Sequence, residues 1–289
     1  MKFGISPSPF IWWKSVKDFE KLILEIENCG YDAIFIPDHY NLPASDYPSN
    51  NLLEAWSTLS YVAAKTERVK IGACVTPITR WLPSQLAKVI ANVDILSEGR
   101  VLAAFGAGWF PDEFVNYSPQ GTFDKPKVLI ERFMEGLNIV IKLWTENKVT
   151  FKGKYYSLID AELLPKPKQK PYPPLWSGGL GPHMLKLTAK HFDAWIAPRN
   201  GRKILTPEEY KAKVETIKFY LKKQGKSVDK FTFAVLMPNS ENIIDEAKFI
   251  EKYLQVGCQY YVVEIAPTLQ YSKRIEMVRR FAKEIIPSF

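Results

Sequence analysis

The feature that most constrains the fold is a regular alternation along the whole chain. Short apolar runs, which are typical of buried strands, alternate with longer segments of helical periodicity, and the pair recurs eight times. This alternation is the pattern of strand–helix units with a parallel sheet. Eight such units in 289 residues match the number and size of a (β/α)8 TIM barrel. We therefore expect an α/β protein with one barrel domain spanning residues 1–289.

The predicted strands are Lys2–Ser6, Ala33–Ile36, Val69–Val75, Val101–Phe105, Leu175–Ser177, Ala194–Ile196, Phe231–Leu236 and Tyr260–Val263. The predicted helices are Val16–Cys29, Leu53–Lys65, Pro83–Leu96, Lys127–Thr145, a segment after Pro182, Pro207–Gln224, Ile243–Val256 and Ser272–Ile285. A doubly wound open sheet is the main alternative. It would be expected to carry a glycine fingerprint after its first strand, where this chain has Ser6-Pro7-Ser8-Pro9.

Two insertions break the regular spacing. One is a loop, Gly106–Lys125, that is rich in glycine, proline and aromatic residues. The other is a hairpin, Val149–Phe151 with Tyr155–Ser157, which we place as a small excursion at the C-terminal mouth of the barrel. A proline-studded connector then leads into the fifth strand, and we interpret it as an extended surface segment because the strand–helix rhythm resumes directly. Long insertions of this kind often carry function.

Composition excludes several classes of protein. Three widely spaced cysteines without a CxxC pair predict neither a disulfide framework nor a metal site, and a reduced cytoplasmic setting is the simplest. Apolar runs are too short for a membrane span. The net charge of +8 is compatible with an anionic ligand or with a lysine-rich surface, and no basic block resembles a nucleic-acid module.

Candidate site residues directly follow the predicted strands, where the active sites of TIM barrels are built. The segments concerned are Pro37-Asp38-His39-Tyr40, Ala73-Cys74-Val75-Thr76-Pro77, Gly106-Ala107-Gly108-Trp109 and Gly178-Gly179-Leu180-Gly181. An imidazole at His39 can donate a hydrogen bond to a ring or exchange a proton near neutral pH. It could equally be a loop histidine without a role.

The glycines after the fifth strand precede a helix. Such a turn can cradle a phosphate with its backbone N–H groups, although tight turns of this kind also occur where nothing binds. His183 lies in the same turn, and Arg199-Asn200-Gly201-Arg202-Lys203 after the sixth strand adds three cations that suit an anionic tail or an ordinary solvated loop. Four tryptophans fall in or near the mouth loops and could form an apolar wall against a planar cofactor: Trp12, Trp13, Trp81 and Trp109.

These segments together resemble the luciferase-like monooxygenase superfamily, and most closely its deazaflavin-dependent branch. The similarity covers nearly the whole chain. It is carried by Phe35–Tyr40, Ser97–Val101 with Gly106–Trp109, Val149–Tyr156 and Pro173–Gly179.

The resemblance implies a flavin-like ring across the mouth of the barrel. Asp38 and His39 would contact that ring and serve as catalytic residues, and Gly178 and Gly179 would hold the phosphate. A non-proline cis peptide at Cys74-Val75 would bulge beneath the ring, with Ala73, Gly106, Gly108, Trp109 and Arg199 completing the cofactor site.

One departure from the family pattern concerns the chemistry. In the deazaflavin-dependent sugar-phosphate dehydrogenases of this family, an acidic glutamate follows the glycines after the fourth strand, where this chain has Trp109. Glu113 or Asp112 could substitute from further along the loop, and the residues alone do not choose between them. Sugar-phosphate oxidation is therefore disfavoured.

The leading functional hypothesis is an oxidoreductase that moves a hydride between coenzyme F420, an 8-hydroxy-5-deazaflavin, and a small organic substrate. The first alternative is an FMN-dependent monooxygenase that uses O2 and reduced flavin supplied by a partner flavin reductase. The second is a non-catalytic flavin-binding protein. The resemblance also implies a homodimer, and the composition predicts no nucleic-acid or membrane partner.

Overall fold

The computed structural model describes residues 1–7, 15–42, 52–199, 204–240, 242–266 and 269–289. Within these ranges the strands are β1 (Lys2–Ser6), β2 (Ala33–Ile36), β3 (Lys70–Ala73), β4 (Thr76–Pro77), β5 (Ala103–Gly106), β6 (Val149–Lys152), β7 (Ser157–Ala161), β8 (Leu175–Ser177), β9 (Ala194–Ala197), β10 (Thr232–Pro238) and β11 (Tyr260–Glu264). The helices are α1 (Val16–Asn28), α2 (Ala55–Lys65), α3 (Pro83–Leu96), α4 (Pro111–Tyr117), α5 (Pro126–Thr145), α6 (Pro182–His191), α7 (Pro207–Lys223), α8 (Ile243–Gln255) and α9 (Tyr271–Glu284).

Nine of the described strands form one parallel sheet that closes into a barrel. The order is β3-β2-β1-β11-β10-β9-β8-β5-β4. The two ends of the sheet are β3, which lies within the third predicted strand Val69–Val75, and β4, which directly follows it. Strand β3 pairs with β2, with Ile36 opposite Ala73, and β4 pairs with β5, with Thr76 opposite Phe105. A parallel bridge between Ile71 of β3 and Val101, just before β5, joins these two parts of the chain directly and closes the barrel. The predicted (β/α)8 TIM barrel is confirmed.

The core has two layers because successive strand residues point to opposite faces. In β2, Ala33 and Phe35 face the barrel interior, while Ile34 and Ile36 pack against the surrounding helices. The interior is filled by side chains from most of the strands: Ala33, Phe35, Leu102, Ala104, Trp176, Ile196, Ala234, Leu236, Tyr260 and Val262. The barrel is thus a packed body, and open space is found at its ends.

The helices form where the sequence predicts apolar faces. In α1, the residues Phe19, Leu22, Ile23 and Ile26 are buried on one side of the helix. Gly30 follows the helix with a φ of +81°, a conformation that glycine adopts without steric cost.

Two insertions differ from the predicted structure. The segment Gly106–Lys125, predicted as a loop, contains helix α4, which begins with Pro111 and carries Asp112 and Glu113 in its first turn, where acidic groups favour a helix. The second hairpin strand is Ser157–Ala161, because the N–H groups of Tyr155 and Tyr156 donate to the Glu135 carboxylate on α5. The hairpin therefore packs along α5.

Among the residues described, no helix is both long enough and apolar enough to cross a lipid bilayer.

Candidate active site

A cavity of about 350 Å³ opens at the C-terminal ends of the barrel strands. Its lining includes almost all of the predicted site residues, namely Asp38, His39, Cys74, Val75, Gly106, Gly108, Trp109, Gly178, Gly179 and Arg199. Ala73 lies beneath them as the buried last residue of β3 and does not line the cavity. The hairpin likewise contributes no lining residue in the described chain. The fold therefore gathers residues from distant stretches of sequence around one opening.

The floor of the cavity is the break in the third strand. The peptide bond between Cys74 and Val75 is cis, as the family resemblance implies. The Val75 side chain lies against Gly106 and Gly178, where an added Cβ would come within 2.8 Å of it. Glycine is thus required at both positions for close packing, because a larger residue would displace the Val75 platform.

The N–H of Gly178, the first glycine after β8, is already used within the barrel. The Gly178 N–H donates to the Phe105 carbonyl at 3.0 Å, and an added Cβ at Gly179 would lie 2.5 Å from Met184. Gly178 would therefore serve a ligand by letting it approach the backbone closely, and its N–H would not donate a hydrogen bond to that ligand. His183 is exposed in the first turn of α6.

A chain of charged groups surrounds the turn that follows β2. Arg80 forms an ion pair with Asp38, donates to the Asp38 carbonyl oxygen at 3.1 Å, and lies 3.1 Å from Glu113 Oε2. The same Glu113 oxygen lies 3.1 Å from His39 Nδ1. Asp38, Arg80 and Glu113 are each at most 2% exposed. A charge buried this deeply is tolerated because each one has an opposite charge beside it.

The surroundings shift the pKa values of both carboxyl groups. Burial raises the pKa of Glu113, but its hydrogen bond to His39 and the charges of His39 and Arg80 outweigh burial, so the net pKa is lowered. Burial raises the pKa of Asp38, and Arg80 only partly offsets that effect. Glu113 is therefore the better-stabilised anion of the two.

A second buried carboxylate lies on the other side of the cavity. Glu264 ends β11, and its Oε2 lies 2.9 Å from Arg199 Nε. Burial raises the pKa of Glu264, and the Arg199 guanidinium opposes the rise. Part of the Arg199 charge, predicted to face an anionic tail, is thus already directed at Glu264.

Trp109 covers one side of the cavity. It is 46% exposed, and its ring lies edge-on to the His39 ring with centroids 5.7 Å apart. Trp81, another predicted wall residue, packs against the core and does not line the cavity. The other two predicted wall residues, Trp12 and Trp13, lie outside the described residues, as do residues 200–203 of the predicted cation cluster.

Sequence reasoning missed Arg80 and Glu264. Glu264 directly follows the predicted eighth strand, so the rule that located Asp38 would also have found it. Arg80 offered no such signal, because it lies five residues after Val75, in a short 3-10 turn, Ile78–Arg80.

Cys74 lines the cavity as a shape-forming residue and not as a nucleophile. Burial raises the pKa of the Cys74 thiol to about 12, and burial does the same to Cys258. At pH 8 only about one such thiol in 10⁴ is ionised, and the thiolate is the reactive form.

We expect iodoacetamide at pH 8 to modify the half-buried Cys29 first and the other two cysteines only after unfolding in urea, as measured by peptide mass spectrometry. Equal rates at Cys74 and Cys29 would contradict this assignment.

The sequence matches a known protein family over most of its length. The profile described as luciferase-like monooxygenase matches residues 3–242. The chain belongs to the luciferase-like monooxygenase family. The predicted family resemblance is confirmed, and the barrel, the strand break and the cavity at the strand ends can be compared with other luciferase-like proteins.

Two curated relatives and one solved structure illustrate this position within the luciferase-like family. An F420-dependent glucose-6-phosphate dehydrogenase of Kineococcus radiotolerans is 33% identical over 60% of this chain and 50% of its own. A 5,10-methylenetetrahydromethanopterin reductase of Archaeoglobus fulgidus is 30% identical over 80% of this chain and 61% of its own. An F420-dependent secondary alcohol dehydrogenase, solved with an F420–acetone adduct, superimposes with a TM-score of 0.80 at 21% identity, covering 100% of this chain and 99% of its own.

The match to the curated relatives covers part of their length. This luciferase-like chain spans about half the length of the first curated relatives that it matches. The structural likeness, at low sequence identity, supports the barrel fold.

Proposed function

We propose that this protein is an oxidoreductase that transfers a hydride between coenzyme F420 and a small organic substrate. The observation that carries the proposal is the grouping of His39, the Val75 platform and two obligatory glycines around one cavity. Supporting evidence comes from the family and from relatives whose names specify F420. The bound deazaflavin would supply the acceptor or donor for the hydride.

The residues present fit a planar ring. A cavity of about 350 Å³ lies within the range of small-molecule sites, and its floor is formed by Val75 between two glycines that leave room above the bulge. Trp109 supplies an exposed aromatic surface at the rim. We propose that Cys74, Val75, Gly106 and Gly178 seat one face of the ring, and that Gly108, Gly179 and Arg199 bound its edges.

The chain's own contribution to the chemistry is orientation and a proton partner. His39 lines the cavity, and its imidazole is the side chain that we propose exchanges a proton with a substrate oxygen. The Asp38 carboxylate is committed to Arg80, so we propose that Asp38 acts by fixing the turn that carries His39. Oxidation of an alcohol to a carbonyl would then remove a hydride from carbon and a proton from oxygen, and His39 would take the proton.

The first test is the choice of cofactor. We expect the purified protein to bind F420 at least about tenfold more tightly than FMN, a difference of roughly 1.4 kcal/mol, as measured by absorbance titration of the oxidised and reduced forms. Turnover would then be sought with secondary alcohols, glucose 6-phosphate and methylenetetrahydromethanopterin. Tighter binding of FMN would favour the monooxygenase alternative, and binding of either cofactor without turnover would favour the non-catalytic one.

The remaining inferences from the sequence stay predictions. They are a single catalytic domain, a homodimer, a cytoplasmic location and, in the case of FMN, a partner flavin reductase.

A further inference from the structure

The carboxylate of Glu113 holds the turn that carries His39 with both of its oxygens. Oε1 accepts the backbone N–H of Tyr40 at 2.6 Å and that of Asn41 at 3.3 Å. Oε2 lies 3.1 Å from His39 Nδ1 and 3.1 Å from Arg80 Nη1. The orientation of the carboxylate is therefore fixed by four separate groups, and its Oε2 faces one particular nitrogen of the His39 ring.

Arg80 places a positive charge beside this buried carboxylate, and His39 and Arg80 together lower its pKa. Its guanidinium lies between Asp38 and Glu113 and stacks on the Tyr40 ring at 4.0 Å from the ring centroid. The lowered pKa of Glu113 agrees with an anion at this position. An ionised carboxylate has no proton to donate, so the proton of the His39–Glu113 hydrogen bond belongs to the histidine.

We propose that Glu113 is a positioning residue that holds neutral His39 in the Nδ1–H tautomer and so leaves Nε2 as the nitrogen that exchanges a proton on the cavity side. The sequence left open whether Asp112 or Glu113 acts at this site. The structure favours Glu113, because Asp112 is exposed on the same helix. The catalytic part of this inference rests on the proposed function, whereas the tautomer does not.

The proton balance is simple. In the oxidation direction, His39 Nε2 would accept the hydroxyl proton of an alcohol, and bound F420 would supply the acceptor for the hydride from the carbon that bears the hydroxyl, which balances to a carbonyl product. The imidazolium that forms then faces the Glu113 carboxylate. A positive charge created beside a fixed anion in a buried site costs less than one created alone.

Glu113→Gln tests the tautomer because the direction of the amide can be predicted. Two backbone N–H groups hold an oxygen at the Oε1 position more firmly than the single Arg80 N–H holds one at Oε2, so we expect the amide NH2 at the Oε2 position, where it donates to His39 Nδ1 and loses the Arg80 contact. We expect the neutral ring to change from the Nδ1–H to the Nε2–H form, as measured by long-range ¹H–¹⁵N NMR at about pH 9. The chain has three histidines, so the spectrum is simple, and the signals missing from His39→Gln identify His39.

Asp112→Asn is the matched control, since it makes the same change of charge one residue earlier on α4. It should leave the His39 tautomer unchanged. An Nε2–H tautomer in the unmodified protein would overturn the proposal, as would an Nδ1–H tautomer retained in a folded Glu113→Gln protein. If that variant fails to fold, the spectrum of the unmodified protein still decides.

Kinetics separates this inference from the proposed function. With a substrate found in the panel above, Glu113→Gln should lower kcat by at least about 10²-fold and change F420 affinity by less than about threefold, as expected for a histidine held in the wrong tautomer. A kcat within threefold of the unmodified protein would exclude the catalytic part. An Nδ1–H tautomer in a protein that turns over no substrate would count against the proposed function alone.

Discussion

Replacing His39 with glutamine is expected to lower kcat/KM by about 10²–10⁴-fold, the usual contribution of a positioned proton donor or acceptor. Glutamine has a similar length and can hydrogen-bond to Glu113, but it cannot exchange a proton in the neutral pH range. F420 affinity should change little, because the ring platform is formed by the Val75 break and the glycines around it. Initial rates and absorbance titration of the cofactor measure the two effects.

The control for this variant is His191→Gln. His191 lies in the last turn of α6, away from the cavity lining, and its substitution should leave kcat/KM within about twofold. A loss of activity below tenfold in His39→Gln would mean that another group exchanges the proton. A parallel loss of F420 binding would mean that His39 serves mainly to hold the cofactor.

Replacing Arg80 with methionine is expected to destabilise the protein by about 3–5 kcal/mol, because removing one partner leaves a buried charge uncompensated. Asp38 loses its ion pair, and Glu113 loses the neighbouring Arg80 guanidinium. This loss is a large part of the roughly 5–15 kcal/mol by which most proteins are stable. Urea unfolding followed by tryptophan fluorescence measures it.

The destabilisation in Arg80→Met should also depend on pH. Burial raises the pKa of Asp38, and loss of the Arg80 charge removes the group that opposes this rise. A carboxyl whose pKa is higher in the folded than in the unfolded state stabilises the fold less as pH rises above its unfolded value. The deficit relative to the unmodified protein should therefore be larger at pH 7 than at about pH 4.

Two comparisons define the origin of that deficit. The double variant Asp38→Asn with Arg80→Met removes both charges and should recover part of the lost stability. Arg280→Met breaks an exposed pair with Glu284 on α9 and should cost less than about 1 kcal/mol. A loss of that small size in Arg80→Met would show that Asp38 and Glu113 are stable without the guanidinium.

The barrel could be predicted from sequence because its determinants are local. Apolar runs and helical faces recur in order, and the strand-end rule then places Asp38, His39 and Gly178 at one opening. The cis bond at Cys74-Val75 followed from family resemblance and is present.

The charge network could not be predicted in the same way. An arginine in a loop usually lies in solvent, and burial of Arg80 depends on how the third strand breaks and where α4 packs. The choice between Asp112 and Glu113 likewise depended on a helix that the glycine- and proline-rich composition of the loop had concealed. Both the burial of Arg80 and the role of Glu113 therefore depend on interactions between segments that are distant in sequence.

The broken third strand contributes both to the closure of the barrel and to the cavity. Its halves, β3 and β4, form the seam at which the barrel closes, and the residues between them form the floor of the cavity. Substitutions in that floor would therefore put the closure of the whole barrel at risk, whereas the exposed rim residue Trp109 is not part of the seam. Changes of substrate preference in this architecture should accordingly be sought by varying the rim and keeping the seam constant.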